Sequence, residues 1–195
     1  MAKPLDQIVT DRLVLRPWRW EDRAPMARMN ADPEVCRHLP APLNREESDA
    51  LVDRIEAHWR KYGFGPWVVT KREAAFDPGG ETGPRTGPMI GFVGLLVPRF
   101  SAPFTPCVEI GWRLNPAHWG QGLATEAAAA VLAEDAFAHH GFEEVVAFTV
   151  PDNMASRRVM EKLGMTRTPA DDFFHPLLAL DDPSAPHVLY RMKRR

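Results

Sequence analysis

The sequence predicts a mixed α/β fold, in which helices pack on both faces of one seven-stranded mixed sheet. Short apolar segments with strand periodicity alternate along the chain with amphipathic helical segments. The chain has 195 residues, 45% of them hydrophobic, which is enough to bury one substantial core. Neither an internal repeat nor a long low-complexity tract divides it, so we expect a single domain over residues 1–195.

The N-terminal part predicts a strand followed by two helices. Residues 8–16 alternate apolar and polar side chains, as a half-buried strand does. A short helix is expected over residues 20–30. A stronger one begins at Asn44, which has Glu47 three residues later as in a capping box, and runs to Lys61.

The middle of the chain predicts three strands and an insertion. Residues 67–70 form a short strand, and residues 74–88 are so rich in glycine and proline that we expect a flexible insertion. Apolar and β-branched residues predict strands over 89–97 and 108–114, separated by a proline-rich loop.

The C-terminal part predicts two more helices and two more strands. The expected elements are an alanine-rich helix over 123–140, a strand over 144–150, a helix capped by Asp152 and ended by Gly164, a loop over 169–186 and a closing strand over 187–192.

Composition excludes several classes of function. A formal net charge of −2 supplies no field for a polyanion, and the basic end at 191–195 is typical of a solvated terminus, so we expect no nucleic-acid partner. Cys36 and Cys107 lack the spacing of a metal site or a disulfide framework, so we expect no metal. No signal peptide and no apolar run of about 20 residues is present, which favours a cytoplasmic protein without a membrane partner.

The segment Gly120-Gln-Gly-Leu-Ala is the first candidate binding site. It follows a predicted strand and opens a helix, so its glycines and the helix amides can surround a phosphate. It lacks the lysine of a P-loop and the third glycine of a dinucleotide fingerprint. The segment by itself therefore predicts either a phosphate site of another class or an ordinary tight turn.

Three segments in order resemble the GNAT superfamily of N-acetyltransferases, and within it the RimJ/RimL-like branch. They are Thr10-Asp-Arg-Leu-Val-Leu-Arg16, Glu109-Ile-Gly-Trp-Arg-Leu continuing to Gly120-Gln-Gly-Leu-Ala-Thr-Glu-Ala, and Asn153-Met-Ala-Ser-Arg-Arg-Val-Met-Glu-Lys-Leu-Gly164. The resemblance covers nearly the whole chain. It implies a splayed sheet with acetyl-CoA between the strands at 108–114 and 144–150.

The resemblance also implies which residues hold the acyl donor. Backbone amides of Gln121, Gly122, Ala124 and Thr125 match the pyrophosphate loop of the family. Trp119 stands where many members place glutamine or arginine, and we expect it to serve packing.

The pantetheine arm is expected to contact a strand and a helix start. Backbone groups of Trp112 and Leu114 match the family's pantetheine-pairing strand, and Asn153 matches an asparagine that hydrogen-bonds the arm. For Asn153 a helix cap is the alternative. Arg157 and Arg158 are expected to be solvated helix residues, outside the site.

Glu109 is the candidate general base, because it shares a strand face with Gly111 and Arg113 in the strand that the family places beside the thioester. A structural pairing with Arg113 is the alternative. His118 and His38 are further candidates, since imidazole titrates near neutrality.

The residue that would donate a proton to the leaving thiolate differs from the common family pattern. Met160 occupies the position of the usual tyrosine and cannot donate a proton. Ser156, three residues after Asn153, is the replacement candidate implied by the branch, and a first-turn capping serine is the alternative. Carbonyl polarisation would come from a backbone N–H of the 108–114 strand.

The resemblance implies direct transfer of an acetyl group from acetyl-CoA to a primary amine in a ternary complex. The acceptor would be a protein N-terminus or a small molecule, and a non-catalytic acyl-CoA-binding module is the alternative. Loops at 31–44, 98–106 and 169–186 are expected to set the acceptor. Their aromatic residues fit an acceptor pocket, a homodimer interface or core packing, and these are Phe100, Phe104, Phe173 and Phe174.

Overall fold

The computed structural model describes residues 5–73 and 86–194. The helices are α1 (Arg23–Asn30), α2 (Arg45–Tyr62), α3 (Leu123–Ala130) and α4 (Met154–Lys162). The strands are β1 (Ile8–Val9), β2 (Leu13–Arg16), β3 (Pro66–Arg72), β4 (Thr86–Leu96), β5 (Glu109–Leu114), β6 (Glu144–Thr149), β7 (Thr166–Arg167), β8 (Phe173–Phe174) and β9 (Pro186–Lys193). None of the helices in these ranges is long and apolar enough to cross a membrane.

The strands form one open sheet in the order β1-β2-β3-β4-β5-β6-β9-β7, with β8 also paired to β9. Neighbouring strands are antiparallel, except β5 and β6, which are parallel. β5 pairs with β4 over six positions and β6 pairs with β9 over six, but β5 and β6 share the single pair Glu109 and Val146. The sheet is therefore two well-paired halves that diverge beyond one contact.

Each face of the sheet carries its own apolar core. The larger core packs α3 and α4 against inward residues such as Ile110, Val145 and Ala147. A smaller core packs α1 and α2 against the other face around Phe92. Because strand residues alternate between faces, Glu109 lies on the side opposite Ile110. The mixed fold with helices on both faces is confirmed.

The sheet has nine strands where seven were predicted, and three of the nine contain only two residues. The predicted strand over 8–16 is a hairpin of β1 and β2, since Thr10 N donates to Leu13 O at 2.9 Å and turns the chain. Pairs this short carry almost no sequence periodicity. For the same reason no strand was predicted at β7, which follows the expected helix end at Gly164, or at β8, which lies in the expected 169–186 loop.

The predicted insertion over 74–88 is placed in part. Residues 74–85 lie outside the described residues, whereas Thr86–Pro88 belong to β4, so the loop prediction is wrong for these three. The β3–β4 register shifts between Thr70 and Arg72. Pro88 has no amide hydrogen for the ladder, and such a shift accommodates it.

Helix ends follow their caps. Asn44 and Glu47 form the predicted capping box at the start of α2. α4 is capped by Asn153 and not by Asp152, because the Asn153 Oδ1 accepts from the Ser156 N–H. The predicted 123–140 helix is continuous, but its hydrogen bonding changes from α to π over Val131–His139.

Candidate active site

The gap between β5 and β6 exposes backbone groups of β5. Val146 N donates to Val108 O at 2.9 Å, so even-numbered residues at this edge point their backbone polar groups toward β6. The two strands pair in register only at Glu109. Beyond that pair, Trp112 and Leu114 therefore direct N–H and C=O groups into the open gap.

One of these groups already has a partner. The indole Nε1 of Trp119 donates to Leu114 O at 2.7 Å, and the Trp119 side chain is 43% exposed. Trp119 thus ties the loop after β5 to the end of the strand. The Leu114 N–H and both backbone groups of Trp112 remain directed at the gap.

The turn that joins β5 to α3 has the conformation of an anion cradle. Gly120 and Gly122 have φ of 72° and 76°, which residues with a side chain rarely adopt. A helix N-terminus leaves its first amides without intrahelical partners. Within the described residues no hydrogen bond is made by the backbone N–H groups of Gln121, Gly122, Ala124 and Thr125.

Arg12 of the first hairpin holds this turn in place. Its guanidinium donates to Gln121 O at 2.9 Å and to Glu126 Oε2 at 2.6 Å. The Arg12 N–H and the Thr10 hydroxyl both donate to Glu126 Oε1, at 3.0 and 2.6 Å. A cation is thereby placed against the turn, with about half of its side chain exposed.

These contacts keep Glu126 ionised. Burial by itself would raise its pKa, but the hydrogen bonds from Thr10 and Arg12 lower the pKa below its ordinary value. An ionised Glu126 in the first turn of α3 also interacts favourably with the helix dipole.

Asn153 and Ser156 lie at the start of α4, which follows β6 across the gap. The Asn153 amide caps the helix and donates through Nδ2 to Thr149 Oγ1 at 2.9 Å. The helix-cap alternative is therefore realised, and a contact to a ligand stays a prediction. The Ser156 hydroxyl is partly exposed and has no hydrogen-bond partner within the described residues.

Met160 is one turn further along α4 and is a core residue. Its side chain is 2% exposed and packs in the larger core. A tyrosine at this position in other members can present a hydroxyl, whereas this chain fills the same place with apolar packing.

The carboxylate of Glu109 lies at the closed end of the gap. A side-chain carbon on Gly111 would be 3.9 Å from Glu109 Oε1, so the carboxylate lies above Gly111 on the same face. It makes no hydrogen bond or ion pair with any described residue. The side chain keeps some solvent contact, yet enough protein surrounds it that desolvation raises its pKa to about 8.

Arg113 is not the partner of Glu109. Its Nη1 donates to Asn30 Oδ1 at 2.5 Å, and its guanidinium lies 5.5 Å from the Phe92 ring centroid. Burial lowers the pKa of Arg113. The Asn30 carbonyl in turn accepts from Leu43 N at 2.9 Å, so the same cluster anchors the 31–44 loop.

The other polar candidates do not converge on Glu109. His118 belongs to the short turn after β5, where desolvation lowers its pKa, and His38 lies in the 31–44 loop. Arg157 donates to Pro151 O at 2.9 Å, and Arg158 is exposed.

Comparison with known proteins decides the family. Residues 12–166 match the model of the acetyltransferase (GNAT) domain. The chain belongs to the GNAT acetyltransferase family. It is similar to the FsC-acetyl coenzyme A-N(2)-transacetylase of Aspergillus fumigatus, at 32% identity over 177 residues, which are 85% of this chain and 66% of that protein.

Solved GNAT structures have the same fold. A crystal structure of an acetyltransferase from Agrobacterium tumefaciens covers 100% of this chain and 98% of its own, with a TM-score of 0.71 and 26% identity. The ribosomal alpha-N-protein acetyltransferase RimL in complex with coenzyme A matches with a TM-score of 0.70 over 96% and 97% of the two chains, at 16% identity. Identity this low shows the fold alone, so the RimJ/RimL-like branch stays a prediction.

The GNAT family implies acetyl-CoA as the acyl donor, and the residues present fit that group. The turn offers unpartnered amides, a helix N-terminus and the Arg12 cation to a pyrophosphate. The open edge of β5 offers backbone groups to an amide-containing arm. In residues 5–73 and 86–194, no cluster of three or more His, Cys, Asp or Glu side chains has the arrangement of a metal site.

Sequence reasoning missed the pair Arg12 and Glu126. Both lie inside the segments that carry the resemblance, but 114 residues separate them and no local pattern joins them. Their charges were the available signal, because an acidic residue in the first turn of a helix and an arginine in a hairpin both need partners when partly buried.

We predict that Arg12→Ala weakens acetyl-CoA binding about three- to tenfold, because the turn loses its anchor and a nearby positive charge. Isothermal titration calorimetry measures the Kd. Arg72→Ala is the matched control, since it removes the same charge from an exposed neighbouring strand position. Equal weakening in the two variants would show that Arg12 acts only through net charge.

Proposed function

We propose that this protein is an acetyl-CoA-dependent N-acetyltransferase that transfers an acetyl group directly to a primary amine in a ternary complex. The acceptor is a protein N-terminal α-amine or a small-molecule amine. We place the chain in the RimJ/RimL-like branch of the family and in the cytoplasm. The observation that carries the proposal is the unpaired Glu109 carboxylate at the closed end of the β5–β6 gap.

The open end of the gap and the free edge of β5 would hold the acyl donor. Amides of Gln121, Gly122, Ala124 and Thr125 would hold the pyrophosphate at the open end. Backbone groups of Trp112 and Leu114 and the amide of Asn153 would hold the pantetheine arm. When bound, acetyl-CoA supplies an activated thioester; the enzyme must supply an unprotonated amine and protonate or stabilise the thiolate.

Glu109 is the proposed base. A carboxylate with a pKa near 8 is a far stronger base than an ordinary glutamate, and it matches the pKa of a peptide α-ammonium group, which is also near 8. Glu109 would take the proton from the acceptor nitrogen directly or through one water. A lysine ammonium, with a pKa near 10.4, would lose its proton to Glu109 less readily.

Ser156 is the proposed proton donor to the thiolate. Its hydroxyl is partly exposed and free of described partners, in the first turn of α4. Met160 is buried in the core and takes no part. Solvent is the alternative source of this proton.

Direct transfer is supported by the state of the two thiols. Desolvation raises the pKa of Cys107 to about 11, and burial also raises the pKa of Cys36. Both remain protonated at neutral pH, and a protonated thiol is a poor nucleophile for a covalent acetyl-enzyme.

Isotope-labelled acetyl transfer tests the proposal. Purified protein is incubated with labelled acetyl-CoA and a panel of peptides, polyamines and aromatic amines, and acetyl-CoA binding is measured in parallel. Labelling of at least one amine is expected. Binding without any labelling would favour the non-catalytic acyl-CoA-binding module, and loss of binding would exclude both functions.

We predict that Asn153→Ala raises the Kd for acetyl-CoA about tenfold, because a ligand contact is lost with the cap. Asn44→Ala is the matched control, since Asn44 also caps a helix and lies in no part of the gap. Each variant should lose about 1 kcal/mol of stability. An unchanged Kd for the Asn153 variant would show that Asn153 caps α4 and does not contact acetyl-CoA.

We predict that Glu109→Gln lowers kcat about 100-fold while the Kd for acetyl-CoA is unchanged, because the amide cannot accept the proton. Glu144→Gln, which removes a nearby carboxylate paired with Arg191, should keep kcat. Comparable turnover in the Glu109 variant would remove this residue as the base.

The pH profile gives a second readout for Glu109. Its pKa is raised, so the basic form is present above about pH 8 and is lost as pH falls. The native kcat, divided by that of the Gln variant, should fall about tenfold per pH unit below pH 8. Among the neighbouring groups, Arg113 donates to Asn30, Arg191 is ion-paired with Glu144, and the pKa of Cys107 is raised to about 11.

A further inference from the structure

An aromatic cluster lies outside both apolar cores. Phe100 and Phe104 of the β4–β5 loop meet Phe148 of β6 and Phe173 of β8, with ring centroids 4.7 to 6.3 Å apart. Two imidazoles join them, and the His175 ring is 4.7 Å from Phe100 and 5.1 Å from His187. We call these six residues the aromatic cluster.

The cluster lies on the same sheet face as Glu109. Glu109 is in register with Val146 on β6, and Phe148 is the next residue on that face, about 6.6 Å further along the strand. Phe148 and Leu189 are in register across to β9, and β8 extends this side through the pair Phe173 and His187. The cluster thus forms one wall beside the carboxylate.

The opposite wall is polar, and hydrogen bonds hold its side chains in place. On one side of Gly111, Asn30 Oδ1 accepts a hydrogen bond from Arg113. The backbone carbonyl of Asn30 accepts one from Leu43 N in the 31–44 loop. Between the two walls the floor consists of Glu109 and Gly111, which has no side chain to fill the space. An amine lying on this floor would have its substituent directed toward either the aromatic cluster or the Asn30 side.

The cluster is open to solvent. Each of its six side chains keeps part of its surface exposed, and none belongs to the two packed cores. An open cavity of about 430 Å³ in the β4–β5 loop borders the cluster, and Phe100 lines both. Aromatic rings that pack on one another and keep part of their surface exposed can offer that surface to a planar ligand.

The cluster carries no negative charge that would attract the second ammonium group of a polyamine whose first nitrogen lies at Glu109. Desolvation lowers the pKa of His175 and of His187, so both rings are neutral at pH 7. Three acids of the flanking segments are ion-paired, Asp171 and Glu144 with Arg191 and Asp172 with Arg167. None of these three carboxylates is left without a cation for a polyamine.

We infer that the acceptor is a small primary amine with an aromatic ring two or three carbons from the nitrogen, so that the ring packs on the aromatic cluster while the nitrogen lies at Glu109. This inference rests on the proposed function and names the substrate class of that site. The wall favours a flat ring over a saturated one, because aromatic pairs gain energy beyond their buried area.

Steady-state acetylation of three amines tests the inference. The probes are 2-phenylethylamine, its saturated counterpart 2-cyclohexylethylamine, and spermidine. Aromatic pairing predicts a kcat/KM for the phenyl amine about two- to twelvefold above that for the cyclohexyl amine. Spermidine is expected to be the poorest acceptor of the three.

Adjacent phenylalanines offer matched variants. Phe173→Leu removes a cluster ring and should bring the phenyl-to-cyclohexyl ratio of kcat/KM close to one. Phe174→Leu is the control and should keep the native ratio, since Phe174 is 56% exposed and lies outside the cluster. If Phe173→Leu fails to fold, Phe148→Leu tests the same wall, and the ratio cancels any general loss of activity.

The outcomes separate this inference from the proposed function. If the native protein acetylates amines with no preference for the phenyl probe, or if both leucine variants change the ratio equally, the inference is wrong and the proposed function stands. If the native protein acetylates no amine, the proposed function fails and the inference fails with it. A native preference that only the cluster variant abolishes supports the inference.

Discussion

The single parallel contact between β5 and β6 is the constraint on which the rest of the site depends. Each strand is fully paired on its other side, so the sheet halves stay rigid while they diverge beyond Glu109 and Val146. The divergence leaves one edge of β5 without a strand partner, and unpaired backbone groups in a cleft favour an extended, amide-rich ligand. It also places Glu109 where the cleft closes.

The first hairpin extends this arrangement to the helix that follows β5. Arg12 and Thr10 are distant from α3 in sequence, yet four hydrogen bonds join them to Gln121 and Glu126. A glycine turn with two residues at positive φ is intrinsically free, and such anchoring reduces the entropy that a bound anion would otherwise have to remove. The two sheet faces have different roles. The larger core on one face supports the turn and α4, and the opposite face carries Glu109 and the aromatic cluster.

Predictions from the sequence were most accurate where the physics is local. The capping box of α2 and the strand before the glycine turn follow from neighbouring residues, and the structure agrees. The predictions were wrong or incomplete for the two-residue strands and for Thr86–Pro88, because pairing partners elsewhere in the chain decide these features. The α4 cap was misassigned by one residue, because Asp152 and Asn153 are adjacent residues of cap-forming type and only the bond from the Ser156 N–H distinguishes them.

The sequence by itself indicated the family, the glycine turn that opens α3 and the face of β5 on which Glu109 lies, because motif spacing and strand alternation are properties of contiguous residues. Only the tertiary structure decided which side chains pair with one another. It bound Arg113 to Asn30 and left Glu109 without a partner among residues 5–73 and 86–194, with a pKa near 8. It also gathered Phe100, Phe148 and Phe173 into one cluster on the sheet face of that carboxylate. Burial and side-chain pairing depend on segments far apart in the chain, and no local pattern records which of them will meet.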